Sequence, residues 1–506
     1  MAMLNRRSLL AGAAGFAAAG TAGLSWSRGA WAADAPADMS DLSEDFLEKL
    51  FANNSEDIKP PGAAARLTQT QYRDILADLE RGAAIPRFAA TQDSPDLFHT
   101  ASALVAEPFA LEYRHLLALA EANGFDLALQ TNPYVLFGLR GCRIALASSE
   151  VFGTSVELIE SVPDHFTAQC VIGILDTMAG TIAAYNASTV PDAAFMYAQA
   201  TGLEGANMMP TGLYRYDVGT HGASRPVIET RQPGAWRQAR AWPVRRVKSV
   251  PQDRVLSYTH AAEWDTGAAC GPLRPSTGNN IHAAILDASG MRIKFSSAGC
   301  QTIPGRYAPR PRRPVGAFSR LREAAGLVKE LALQEVGGVL QTKTTDDGKP
   351  FRYMLLTGRE ARIAARATDI PKVLQRLRYG SRGEALAALR AALAARGHAC
   401  TGEDGGSMGM RTVAALVKVQ RELGVPPDGI VTPELAERLG FSLVGKPSVP
   451  VAEGGVDPAQ GGTTGAEAVA EPIAEPVTAP IEAPPAEPMV APGPEQTPTA
   501  PATPAP

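Results

Sequence analysis

Cys170-Val171-Ile172-Gly173-Ile174-Leu175 and, after a short polar break, Thr181-Ile182-Ala183-Ala184-Tyr185 set the fold class. Both runs are short, apolar and bounded by Asp, Gly or Asn, which reads as β-strands separated by turns. Working outward, strand signals continue from Pro133 to about Ala364, ending with Arg352-Tyr353-Met354-Leu355-Leu356-Thr357. Val315–Leu340 reads as a helical interruption. Upstream, residues 63–130 are rich in Ala and Leu, and apolar spacing of three and four through Phe109–Ala122 predicts helix. Residues 63–365 are therefore expected to form one mixed domain with a β core, in an α+β multidomain chain. At 506 residues there is room for two or three domains.

A smaller unit follows at residues 374–441. It reads as two helices, Gly383–Arg396 and Met410–Leu423, and a short third at Pro433–Leu439. Beyond Pro447, residues 447–506 are Pro, Ala and Glu with repeated Glu-Pro steps and no aromatic residue. Such a tail cannot offset ordering entropy by burial and is expected to be disordered or extended.

The first 32 residues read as an export signal. Arg6-Arg7 precede a mild Ala/Gly-rich stretch from Ser8 to Leu24, and Ala30-Trp31-Ala32 gives a small-x-small cleavage pattern. The paired arginines suggest the twin-arginine type, the alternative being an ordinary secretory signal. Residues 33–62 read as a leader with one short amphipathic helix near Leu42–Phe51. No later segment is apolar enough to span a membrane. A periplasmic or secreted bacterial location is expected.

Formal net charge is −4. The signal holds three arginines and no acid, the tail after Lys446 eight acids and no base, so the body between them is near neutral. That argues against nucleic acid as a partner. Arg306–Pro314 is a basic stretch, read as a solvated loop or a hold for an anionic polymer. The five cysteines, Cys142, Cys170, Cys270, Cys300 and Cys400, are odd in number, so at least one is unpaired or bonds another chain. None has the C-x-x-C spacing of a zinc or redox site.

Cys300 follows Gly299 in Ser296-Ser297-Ala298-Gly299-Cys300-Gln301, and His282 ends Gly278-Asn279-Asn280-Ile281-His282. A thiol needs a base, because its free pKa is about 8.5. The gap between His282 and Cys300 suits two adjacent strands joined by a loop. Two alternatives stay open: Cys300 as half of a disulfide with Cys270, and His282 as a buried strand histidine. His221 is a rival base, read more readily as a loop cap. His260 has no special claim, and His99, His115 and His165 form no metal-binding pattern.

Thr412–Val431, with Gln420 inside its helix and Asp428-Gly429 after it, resembles the second half of a three-helix peptidoglycan-binding domain. Gly380–Leu386 and Leu389 resemble the first half. The Ile281-His282 and Ser297-Ala298-Gly299-Cys300 pairing resembles the L,D-transpeptidase catalytic domain, a β-rich fold. That likeness spans about residues 165–305 and includes Ala187–Pro191 and Met209–Tyr214. It implies Cys300 as nucleophile, His282 as base and the Gly299 and Cys300 amides as oxyanion donors. Ser297 and Gln301 would touch substrate. The family's second motif histidine is Ala298 here, and its usual arginine is Thr302, which marks a divergent branch. The resemblance implies cysteine acyl transfer on peptidoglycan stem peptides, as transpeptidase or peptidase, with no cofactor and no metal. The alternative is a non-enzymatic peptidoglycan-binding protein with an inactive catalytic-like domain.

Overall fold

The computed structural model describes residues 107–128, 132–163, 165–200, 207–222, 231–239, 244–247, 278–285, 297–309, 312–327, 344–370, 374–399 and 406–443. It also describes Ala77 and the short strand pieces Arg87–Phe88, Val255–Leu256, Ala262–Asp265, Gln334–Val336 and Val339–Gln341. The expected export signal, leader and tail lie outside the described residues, as do His99, His260, Cys270 and Cys400.

The chain is mixed α+β, with a large sheet and a small helical C-terminal region. Eight strands form the sheet: β1 (Tyr134–Arg140), β2 (Cys170–Asp176), β3 (Thr181–Ala187), β4 (Gly212–His221), β5 (Gln232–Gln238), β6 (Ile281–Ile285), β7 (Gln301–Pro304) and β8 (Pro350–Thr357). Their spatial order is β7-β6-β5-β4-β8-β1-β2-β3. The β6–β7 and β8–β1 pairs are parallel and the others antiparallel. The sheet curls until its two edges meet. Ser188, just past β3, exchanges both backbone hydrogen bonds with Thr302 of β7, at 2.8 and 2.9 Å. This closure removes the exposed edges of a long sheet.

The strand sequences follow from burial on both faces. Leu136, Ile172, Ile174, Tyr185, Tyr214, Tyr216, Trp236, Ile281, Ile303 and Tyr353 belong to one apolar cluster. Val135, Phe137, Leu139, Val171, Leu175, Ile182 and Met354 point the other way into a second. The second cluster is covered by α1 (Tyr113–Ala122), and later in the chain by the helix Gly358–Arg366, through Leu116, Leu119, Ala361 and Ala364. A strand buried on both sides reads as an unbroken apolar run rather than an alternating one. Glu160, with no exposed side-chain surface, ties that later helix to the strand Ser155–Glu160 by accepting from Arg359 and Arg362 at 2.7 Å each.

Several local expectations are corrected. Phe109–Glu112 is a strand, and only the residues after it are helical. It pairs with Ser155–Glu160, so Phe109 and Leu111 are buried by strand alternation, which a three-four spacing can mimic over four residues. Val315–Leu340 is not one helix. Among its described residues Ala317–Ala324 is helical, and Gln334–Val336 pairs with Val339–Gln341 as antiparallel strands. The basic stretch Arg306–Pro314 is largely a second hairpin, Arg306–Pro309 against Arg312–Val315. The sheet also reaches beyond residues 165–305, since β1 and β8 lie near its middle.

In chain order, further α-helices among the described residues are α2 (Ala193–Ala200), α3 (Ala317–Ala324), α4 (Gly358–Arg366), α5 (Glu384–Ala395), α6 (Met410–Glu422) and α7 (Pro433–Arg438). In the C-terminal module, Leu386, Leu389 and Leu393 of α5 meet Val413, Leu416 and Val419 of α6. Gln420 closes the following turn: its amide donates to Asp428 Oδ1 (2.7 Å) and the Ile430 carbonyl (3.0 Å), and its Oε1 accepts the Gly429 N–H (2.9 Å). The Gln and Asp-Gly of the sequence pattern thus specify the fold of the module. The module shares the sheet's inner apolar cluster, and the described residues up to Leu443 belong to one compact unit. Among the described residues no helix is long and apolar enough to cross a membrane.

Candidate functional site

Parallel pairing of β6 with β7 brings the two sequence-predicted residues together. His282 is in register with Thr302, and Cys300 immediately precedes β7. Ile281 and Ala283 point into the inner cluster, so His282 between them points outward. The same alternation along β4 sends Tyr214, Tyr216 and Val218 inward and His221 outward. His221, His282 and Cys300 consequently place side-chain N and S atoms within 4.8 Å of one another, all buried. Cys300 is in no disulfide and has 7 % of its surface exposed, which removes the disulfide alternative in this structure. Its Sγ donates to the Gly278 carbonyl at 3.4 Å, the arrangement of a protonated thiol at rest.

The turn carrying Cys300 is held from several sides. Ser297 Oγ accepts the Gly299 N–H at 3.0 Å and donates to the Cys300 carbonyl at 2.7 Å. Asp192 Oδ2 accepts the Ser297 N–H, while its Oδ1 accepts the Ala194 and Phe195 N–H groups at the start of α2. Asn279 Nδ2 donates to Asn207 Oδ1 (2.6 Å) and to the Gly299 carbonyl (2.8 Å). Gly299 has φ 148°, and a Cβ there would lie 2.5 Å from Asn207 Oδ1. Only glycine combines that backbone with that approach.

Three expected roles look different in this light. Ser297 and Gln301 were read as substrate contacts, but both have no exposed surface and their polar atoms brace the turn. Gln301 Nε2 reaches the Gly299 carbonyl at 3.3 Å, and Gln301 Oε1 accepts from Tyr353 OH at 3.1 Å. The Gly299 amide, read as an oxyanion donor, already serves Ser297 Oγ. Sequence reasoning missed Asp192, Asn207, Asn279 and Asn280 and set His221 aside. The paired asparagines in Gly278-Asn279-Asn280, just before the histidine strand, were the available signal. Of the other histidines, His115 accepts the Glu112 N–H in a helix-capping pair, and burial first, outweighing the Glu112 carboxylate, lowers its pKa. His165 Nδ1 bonds the Pro191 carbonyl.

The tautomers follow from backbone groups whose roles are fixed. Asn280 Oδ1 accepts the Gln238 N–H at 3.1 Å, so its Nδ2 faces His221 and must donate to Nδ1 at 2.9 Å. His221 therefore carries its proton on Nε2. His282 Nδ1 faces the Ala283 carbonyl at 3.2 Å, a pure acceptor, so Nδ1 is protonated and Nε2 holds the lone pair. The two rings stack with centroids 3.9 Å apart and 9° between their planes.

A His₂Cys set at this spacing was not anticipated by the sequence, and it raises the question of a metal. A tetrahedral ion needs ligand lone pairs that converge on one point. Imidazole lone pairs lie in the ring plane, and two nearly parallel planes do not converge. The chemistry this arrangement suits is proton transfer between a thiol and an imidazole.

Residues 382–439 match the family described as putative peptidoglycan binding domain. The match lies within the helical module and includes α5, α6 and α7. No curated protein and no solved structure matches the chain. The family match supports cell-wall association and peptidoglycan as a partner, and is compatible with an extracellular or periplasmic location.

Proposed function

We propose that the protein acts on peptidoglycan stem peptides by cysteine acyl transfer, in the manner of an L,D-transpeptidase or a related peptidase. The observation that carries this reading is the placing of His282 beside the Cys300 thiol, which is in no disulfide, in a chain that also holds a match to a peptidoglycan-binding domain. In the proposed reaction, His282 Nε2 takes the Cys300 proton and the thiolate attacks a stem-peptide carbonyl carbon. The C–N bond breaks, the leaving amine takes the proton from His282, and a thioester remains. An incoming amine (transpeptidation) or water (peptidase action) then attacks the thioester and releases Cys300 as a thiol. The Cys300 amide is the candidate oxyanion donor.

One observation favours a second reading, a non-enzymatic wall-binding protein. The Cys300 turn is satisfied internally, with the Gly299 N–H engaged by Ser297 and little thiol surface exposed. The test is incubation of wild type and a Cys300→Ser variant with purified muropeptides, read by mass spectrometry, alongside adduct formation with a thiol-directed carbapenem. Wild-type turnover and an adduct, both lost in the variant, support acyl transfer. Sacculus binding with unchanged muropeptides and no adduct sinks it.

A further inference from the structure

We infer that His221 is a positioning residue, which holds the His282 ring in place and keeps the transferred proton on His282. This rests on the acyl-transfer reading above. Three observations carry it.

First, His221 packs flat on His282, so one face of the base is fixed by a ring rather than by a deformable side chain. Second, His221 is itself clamped. Asn280 donates to its Nδ1, and Asn280 is fixed in turn because its Oδ1 accepts a backbone N–H from β5. The backbone carbonyl of Asn280 also accepts the Gln301 N–H at 2.9 Å, so the same residue binds the histidine pair to the strand that begins after Cys300. Third, the clamp dictates where a proton can go. The Nδ1 of His221 is occupied by a donor and its Nε2 already holds hydrogen, so protonating His221 would break the Asn280 bond. It would also place a second cation against His282 once that ring has accepted the thiol proton. His282 has the opposite arrangement: Nδ1–H faces a carbonyl that favours the charged ring, and Nε2 is basic. The proton lost by Cys300 is therefore directed to His282. Among the described residues, His221 and Cys300 are the His and Cys side chains grouped with His282.

The rate of Cys300 alkylation by iodoacetamide tests this, followed by peptide mass spectrometry on the full chain from pH 5 to 10. Wild type should react well at neutral pH, and His282→Ala should react only as an ordinary thiol does, near pH ~8.5. His221→Phe keeps a flat ring and cannot take a proton but loses the Asn280 bond, so it should lower the neutral-pH rate less than His221→Ala does while the pH at which Cys300 becomes reactive stays that of wild type. His221→Ala removes the ring and should lower the neutral-pH rate about tenfold or more, since small misplacements of a reacting group are costly. Should His221→Ala fail to fold, His221→Phe still decides between base and support. Loss in His221→Phe as large as in His282→Ala would make His221 the base and overturn the proposal. An unchanged rate in a folded His221→Ala would overturn it too. Failure of the underlying reading looks different: wild type itself would then alkylate only in the ordinary thiol range, and the role of His221 falls with it.

Discussion

Arg378 donates to Glu360 at 2.5 Å, and neither side chain has any exposed surface. Arg378 leads into the C-terminal module, and Glu360 sits in the first turn of α4, where it also caps Thr357. A second guanidinium nitrogen of Arg378 donates to Thr211 Oγ1 at 2.7 Å, next to β4. One residue on, Tyr379 stacks on Tyr214 at 5.0 Å and its carbonyl accepts the Leu213 N–H. The module is thus joined to the sheet by a buried charged pair as well as by apolar packing. Removing one partner of such a pair strands the other without water. Glu360→Gln and Arg378→Met should each destabilise the protein by about 3–5 kcal/mol. Urea unfolding checks the size. The double variant Glu360→Gln with Arg378→Met should recover part of the loss, because no charge is then left unpaired.

Gly299→Ala should disrupt the Cys300 turn more than its added methyl suggests. The backbone there has positive φ, and the new Cβ would press on Asn207 at both its side chain and its carbonyl. A cost of about 1–3 kcal/mol is expected for the strained backbone alone. The Cys300 alkylation rate should change as well, since the two residues are adjacent. Pairing the change with Asn207→Ala should relieve the side-chain clash but not the strain. Thermal melts of the single and double variants separate the two contributions.

What could be read in advance follows the physics of burial. The runs at 170–175, 181–185 and 352–357 were legible because both faces of those strands are covered. Cys300 and His282 were legible because the turn and strand that carry them are local. The sheet order was not, since β8 enters between β4 and β1 from far along the chain. His221 was visible in principle. Tyr214, Tyr216 and Val218 mark one face of its strand, which puts His221 on the face that His282 shares. What no pattern shows is that strands so distant in sequence bring those two rings into contact. For Ser297 and Gln301 the sequence does not separate two roles, because a polar residue beside a Gly-Cys turn serves the turn as readily as a substrate; the structure shows both buried and bonded within the turn.

Tyr353→Phe should loosen that turn. Tyr353 lies across the sheet interior, and the space for it exists because residue 138 is glycine, where a Cβ would meet the phenol oxygen at 2.1 Å. Burial pushes its pKa well above the ordinary tyrosine value, so it stays a neutral donor to Gln301 Oε1. Deleting the hydroxyl leaves that buried acceptor without this partner, at about 1–3 kcal/mol. Urea unfolding measures the loss. Gln301→Leu combined with Tyr353→Phe should cost less than the sum of the two single changes, because both ends of the bond are then apolar.

The buried thiols Cys142 and Cys170 give the protein an alkaline limit. Both are free, and burial is the main cause that raises the pKa of each; for Cys170 the Thr189 hydroxyl bond opposes it. In the unfolded chain these thiols ionise near pH ~8.5. Below that value both states hold the protons, and the stabilisation is complete. As pH rises past it the unfolded state releases protons that the folded state keeps, so stability falls progressively toward the higher folded values. The urea midpoint should be flat between about pH 7 and 8 and decline from about pH 8.5. The variant Cys142→Ala with Cys170→Ala should lose the early part of that decline. It should keep the later part above about pH 10, where Tyr185, Tyr216 and Tyr353 are likewise held neutral by burial. The same contrast tests the proposed role of Cys300. In native protein at neutral pH, iodoacetamide should label Cys300 well before Cys142 or Cys170, which have 0 and 1 % of their surface exposed. Labelling of the buried pair at the rate of Cys300 would show that the sheet opens as readily as the site, and would remove the basis for both expectations.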